Sequence, residues 1–187
     1  MRTAHWVSAA AGLAALLMAT PSFADGPATA GVLQLGLGFR YGAELNDGDF
    51  NPWGTGLGLE VGYTLPILPI YVGGNVEYFF GGTLDSPVGK IEGNIWQATA
   101  EGGYDIAAGD HLVIRPKLGL GYANVTSETC VSILGCGTTH DNQGLVAPGA
   151  KFILMFSRLQ LAFDGRYAVV LSDPKAKAFI FSMGIGF

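Results

Sequence analysis

Eight times along this chain, large apolar residues recur at every second position with no ionised residue on their face. Period two is the signature of a strand with two unlike faces. Leu33, Leu35, Leu37, Phe39 and Tyr41 oppose Gln34, Gly36, Gly38 and Arg40. Leu57, Leu59, Val61 and Tyr63 oppose Gly58, Glu60 and Gly62; Ile70, Val72, Val76, Tyr78 and Phe80 oppose Tyr71, Asn75, Glu77 and Phe79. Trp96, Ala98, Ala100 and Tyr104 oppose Gln97, Thr99 and Glu101. In the second half, Leu112, Ile114, Leu118, Leu120 and Tyr122 oppose Arg115, Lys117, Gly119 and Gly121. Pro116 interrupts that segment and removes a ladder donor, which makes it the weakest of the eight. Val146, Ala150, Phe152, Leu154 and Phe156 oppose Gly149 and Lys151; Leu159, Leu161, Phe163, Tyr167 and Val169 oppose Gln160, Asp164 and Arg166. The chain closes on Phe179, Phe181, Met183, Ile185 and Phe187 against Ile180, Ser182, Gly184 and Gly186.

The connections alternate as well. Segments 46–53, 81–93, 126–142 and 171–177 are mostly long and polar, whereas 65–69, 105–111 and 157–158 are short. This is the pattern of an up-and-down antiparallel meander of eight strands in one domain. A soluble barrel with its apolar face inward shares the period, so the faces must be assigned on other grounds. The polar face is crowded with glycine, at Gly36, Gly38, Gly58, Gly62, Gly119, Gly121, Gly184 and Gly186. Glycine weakens a strand, and a tightly filled lumen supplies a reason for it that a solvated surface does not. The same face nearly balances Glu60, Glu77, Glu101 and Asp164 against Arg40, Arg115, Lys117, Lys151 and Arg166, as buried charges must. A Lys or Arg on a lipid-facing wall costs about 2–4 kcal/mol at the midplane, and the apolar face has none. Tyr41, Trp53, Tyr63, Tyr78, Trp96, Tyr104 and Tyr122 gather near strand ends, where an interfacial girdle belongs.

Composition agrees with a membrane wall. Charged residues are 13% of the chain, against roughly 25% in soluble domains. Mean hydropathy is +0.36. Arg2, the apolar run Ala9–Ala19 and the small residues around Ser22-Phe23-Ala24 predict a secretory signal peptide over residues 1–24, leaving 25–187 as the barrel domain. Removing Arg2 takes the formal charge from −5 to −6, and with no basic stripe nucleic acid is not an expected partner. Val61–Val76 is the longest uncharged run after the leader, and its prolines and glycines exclude a membrane helix. Closed barrels satisfy every backbone group in lipid without one.

With its leader, eight alternating segments and terminal Phe187, the chain resembles the small OmpA/OmpX-like outer-membrane barrels. The resemblance implies an all-β, eight-stranded antiparallel transmembrane barrel in the bacterial outer membrane with both termini in the periplasm. It also implies that Phe179, Phe181, Met183, Ile185 and Phe187 resemble the signal read by the barrel-assembly machinery. The family often has Tyr where Ile185 stands. Outer-membrane lipid and lipopolysaccharide are the expected surroundings, and a monomer the expected state.

Five local features carry chemistry. Antiparallel heights place Glu101 against Arg115 or Lys117, Lys151 against Asp164, and Glu60 near Arg40, as a charged network that plugs the lumen or gates a small pore. Cys130 and Cys136 are expected to form a disulfide in an exported chain; zinc would need ligands beyond the nearby His140. His140 beside Asp141, with Ser127 and Ser132 near, is the candidate set for a lipid A-modifying enzyme, and His111 sits in a short turn. Glu60 and Glu77 suit proton chemistry only if they meet without cations. The loops offer Asp47, Asp49 and Phe50, an incomplete calcium-like "NDGD", and Lys175 and Lys177 for lipopolysaccharide phosphates. The preferred expectation is a non-enzymatic envelope barrel without cofactor or metal.

Overall fold

The computed structural model describes residues 29–45, 51–86, 89–131, 135–156, 159–172 and 176–187. The leader over residues 1–24 lies outside them. Among the described residues ten strands form: β1 Leu33–Glu44, β2 Gly54–Thr64, β3 Ile70–Phe79, β4 Thr83–Ser86, β5 Gly89–Tyr104, β6 Ile106–Ala107, β7 Leu112–Val131, β8 Gly135–Phe156, β9 Leu159–Val170 and β10 Ala176–Gly186. The eight long ones are the expected staves. They pair antiparallel in the order β1–β2–β3–β5–β7–β8–β9–β10, and β10 returns to β1. Phe187 finishes the seam, exchanging backbone hydrogen bonds with Leu35 in both directions at 2.9 and 3.1 Å. Closure leaves no sheet edge within the barrel wall, which a hydrocarbon surrounding requires.

The faces lie as the alternation predicts. Leu37, Phe39, Leu59, Val76, Leu120, Phe152, Phe181 and Met183 are exposed on the outer wall. Arg40, Glu77, Glu101, Arg115, Lys117, Lys151, Asp164 and Arg166 are buried inside. The inward glycines are there for space. A Cβ on Gly58 would lie 2.7 Å from Arg40 Nε, and one on Gly62 would collide with the Tyr71 ring.

Three expectations are corrected. Segment 126–142 is not a loop. β7 and β8 stay paired from Leu112 opposite Leu154 out to Val131 opposite Gly135, and β5 joins them up to Gly89. β9 pairs β8 no further out than Val170 opposite Leu145. A ribbon therefore stands beyond the barrel, and β4 hairpins onto β5 within segment 81–93. Polar residues on both ribbon faces hide the period while the hydrogen-bond ladder continues. Pro116 does not weaken its strand, because it falls where the β5–β7 ladder lapses, between Gly103 opposite Lys117 and Ile106 opposite Ile114. Trp53 is not in the girdle. It is fully buried at the ribbon end of the lumen, because Gly54, the first residue of β2, has φ 56° and breaks the alternation there.

Candidate functional site

The lumen is built in storeys, read along the inward positions of β3 from the ribbon end to the end that carries the short turns, the start of β1 and Phe187. Phe79 comes first, then Glu77, Asn75 and Tyr71. The upper storey is apolar: Trp53 and Phe79 pack edge to face at 5.3 Å, with Ile95, Leu145, Val170 and Ile180 around them. Gly42 makes the room, since a Cβ there would stand 2.6 Å from that of Trp53. Asn51 tethers the approach by donating from Nδ2 to the Gly42 carbonyl at 2.9 Å and accepting from the Trp53 N–H at 3.1 Å.

Below it lie the charges. Glu77 accepts from Arg40 Nε at 2.5 Å, and from Arg166 and Gln97. Lys117 Nζ donates to both Glu101 oxygens at 2.9 and 3.0 Å and pairs with Asp164 Oδ2 at 2.7 Å. Lys151 donates to Glu60 Oε1 at 2.6 Å, and Tyr71 Oη to the same oxygen at 3.1 Å. Asn75 joins the group by donating to Glu101 and accepting from Thr99.

At the terminus end Arg115 stacks 3.7 Å over the Tyr71 ring and holds Asp105 with Nε at 2.5 Å and Nη2 at 2.9 Å. Thr29 and Thr64 donate to the second Asp105 oxygen at 2.6 and 2.8 Å. Asp105 is the residue that sequence reasoning assigned to a turn. It continues the inward series Gln97, Thr99, Glu101 and Gly103, and that parity was the signal available. With it, five acids (Glu60, Glu77, Glu101, Asp105, Asp164) meet five bases (Arg40, Arg115, Lys117, Lys151, Arg166), each in a salt bridge. Among the described residues these ten buried charges balance, which is the condition for burying so many.

Of the expected pairs, Glu101–Lys117 forms an ion pair and Lys151 faces Asp164 in the ladder as expected without pairing to it. Glu60 takes Lys151 across the lumen, Arg40 takes Glu77, Asp164 takes Lys117, and Arg115 takes Asp105. Glu60 and Glu77 each face cations and do not form a carboxylate pair. A cavity of about 30 Å³, roughly two water molecules in size, is lined by Gln34, Arg40, Glu60, Lys151, Asp164 and Ser182. Asp164 Oδ1 and Ser182 Oγ on its wall bond no protein group.

The other candidates separate. Cys130 and Cys136 sit opposite each other near the ribbon tip and form a disulfide. They are therefore not metal thiolates. His140 Nδ1 lies 3.1 Å from Thr126 Oγ1, while Asp141 accepts from Gln143. Ser127 faces Thr139 in the ladder, one residue out of step with His140, so Ser127, His140 and Asp141 do not assemble. His111 is exposed in its turn. Ser132, Lys175 and residues 46–50, with Asp47, Asp49 and Phe50, lie outside the described residues. Phe181, Met183, Ile185 and Phe187 line the outer wall, and Phe179 is half-buried beside them.

A family model for the outer membrane protein β-barrel domain matches residues 9–187. The chain belongs to that family. It is an integral barrel of the bacterial outer membrane. No curated protein matches it by sequence. Among solved structures it is similar to Ail, the attachment invasion locus protein of Yersinia pestis, at 14% identity and TM-score 0.56, covering 82% of this chain and 95% of that one. A major outer membrane protein of Thermus thermophilus matches at 12% identity and TM-score 0.56, over 83% of this chain and 99% of the other. Neisserial surface protein A matches at 11% identity and TM-score 0.51, over 82% and 94%. Identities this low establish the fold alone.

Proposed function

We propose that this barrel is a non-conducting structural protein of a Gram-negative envelope that presents its ribbon outside the cell. The observation that carries the reading is the filled lumen: paired charges beneath an apolar storey closed by Trp53. An eight-stranded barrel is just wide enough for side chains to fill, and here both polar and apolar ones do. Tight turns at the terminus end and long hairpins at the other fit termini in the periplasm, reached after removal of the leader. The terminal Phe187 and the apolar face of β10 serve recognition by the assembly machinery, and the barrel works as a monomer in lipopolysaccharide and phospholipid. The scattered His140, Asp141 and Ser127 support a role without catalysis. Ail, a barrel of the same fold named for attachment and invasion, fits a ribbon that meets other surfaces. Planar-bilayer recording on the refolded chain tests the sealed lumen. The expected result is no steady conductance; a stable, ion-selective current overturns it.

A further inference from the structure

Gly165 is one of several strand glycines, with Gly74 and Gly102, that do not face the lumen. It points outward in the middle of β9, between Phe181 on β10 and Ala150 on β8. A Cβ there would meet only the Phe179 ring, at 3.7 Å, so the fold has room for a side chain. Glycine in a strand weakens it and needs a local reason. What its bareness leaves is a groove on the hydrocarbon face. Phe39, Phe152, Phe163, Phe179, Phe181 and Met183 wall a concavity of about 790 Å³ whose floor is Gly165 and Ala150.

Lys177 lies two residues ribbonward of Phe179 on β10, just beyond the residues that line this groove. It is exposed, shares the outward face of β10 with Phe179 and Phe181, and is flanked by Val169 and Leu45. Among the described residues it is the one cation pointing outward from the paired barrel wall, Lys90 being in the ribbon. From Lys177 to Met183 β10 runs about 20 Å at ~3.4 Å per residue. At a strand tilt of about 35–45° that spans roughly 15 Å of depth, half of a ~30 Å hydrocarbon core. The cation therefore lies at headgroup level and the groove reaches the midplane, which is the outline of one lipid in one leaflet.

We propose that this groove and Lys177 bind lipopolysaccharide, one acyl chain lying over Gly165 and a lipid A phosphate against the Lys177 ammonium. The choice of lipid rests on the orientation proposed above, in which the ribbon end faces the leaflet that carries lipopolysaccharide. Positive charge just beyond the groove selects a phosphorylated headgroup, and the bare floor admits a chain that a plain aromatic wall would exclude.

The test is native mass spectrometry of the full refolded chain released from nanodiscs containing lipid A and phosphatidylethanolamine. One retained lipid A is expected. Gly165→Leu, which fills the groove, and Lys177→Gln, which removes the charge, should each reduce its retention at least about fivefold. Val76→Ala, on β3 in the opposite wall, should leave retention unchanged. Equal retention by Gly165→Leu, or equal carriage of phosphatidylethanolamine, overturns the site. So does a dimer that Gly165→Leu dissolves, since the occupant would then be a second copy. Because these nanodiscs have no fixed sidedness, this outcome is independent of orientation. Surface labelling of the ribbon on intact cells reads orientation separately, and bilayer recording reads the seal.

Discussion

Glu77 is the acid on which the lumen most depends, and replacing it with Gln tests the pairing scheme directly. Its carboxylate is fully buried and accepts from Arg40, Arg166 and Gln97. Glu77→Gln preserves shape and removes one negative charge, so four acids would face five bases. Arg166 keeps Glu101 at 3.6 Å, and Arg40 keeps the Phe39 carbonyl at 3.2 Å. Breaking a buried pair by removing one partner costs about 3–5 kcal/mol, mostly for the charge left behind. A calibrating variant is Glu92→Gln in the ribbon, where Lys90–Glu92 is about half exposed and such a pair is worth about 0–1 kcal/mol. Equilibrium denaturant unfolding in lipid vesicles, followed by loss of the compact heat-modifiable band, reads both. The double variant Glu77→Gln/Arg40→Met restores four against four and should recover most of the loss. If Glu77→Gln falls within about 0.5 kcal/mol of Glu92→Gln, or the double variant is no better than the single, the lumen is not held as a coupled network.

Two further outcomes follow from the faces of the barrel. In single-tryptophan variants reconstituted with brominated lipid, Trp96 on the outer wall should be quenched. Trp53, enclosed in the lumen, should not be, and strong quenching of Trp53 would mean its side chain leaves the seal. Gly62→Ala, whose Cβ collides with Tyr71, should destabilise the barrel by about 1–3 kcal/mol. Gly102→Ala meets nothing within 4 Å and should stay within about 0.5 kcal/mol by the same unfolding assay.

Face assignment was legible because strand parity is local: once Leu35 and Phe39 are outward, Arg40 is inward, whatever the rest of the chain does. The Cys130–Cys136 bridge was expected on other grounds, export and a short separation, and the ribbon sets the two residues opposite each other. Partner choice was not legible. Lys151 is beside Asp164 in the ladder yet reaches Glu60, 91 residues away, because inward side chains in a narrow barrel meet across the lumen as readily as along the wall. Trp53 escaped because one positive-φ glycine resets parity, and parity reasoning has no access to φ. The ribbon escaped because hydrophobic contrast reports a boundary between oil and water, whereas the hydrogen-bond ladder of β7 and β8 continues where both faces are wet.

The buried pairs also answer a problem that the apolar pattern leaves open. A slip of one residue turns a strand inside out and is forbidden by lipid. A slip of two keeps every greasy residue outside, and hydrophobicity does not distinguish it. Moved by two in one direction, β3 would set Glu77 opposite Glu60 in place of Gly58. The same slip between β8 and β9 would set Lys151 opposite Arg166 in place of Asp164. Like charges facing each other in a closed lumen have no water to separate them, so the charges select among registers that the outer wall treats as equal. The glycine seats under Arg40 and Tyr71 select as well, by shape. The Glu77→Gln/Arg40→Met barrel removes the Glu77 charge from the β2–β3 register and leaves the Tyr71 seat at Gly62, so it separates the two devices for that strand pair. If its backbone amide spectrum shows more than one β2–β3 pairing while stability is recovered, that register was set by charge. One set of resonances assigns it to the Tyr71 seat.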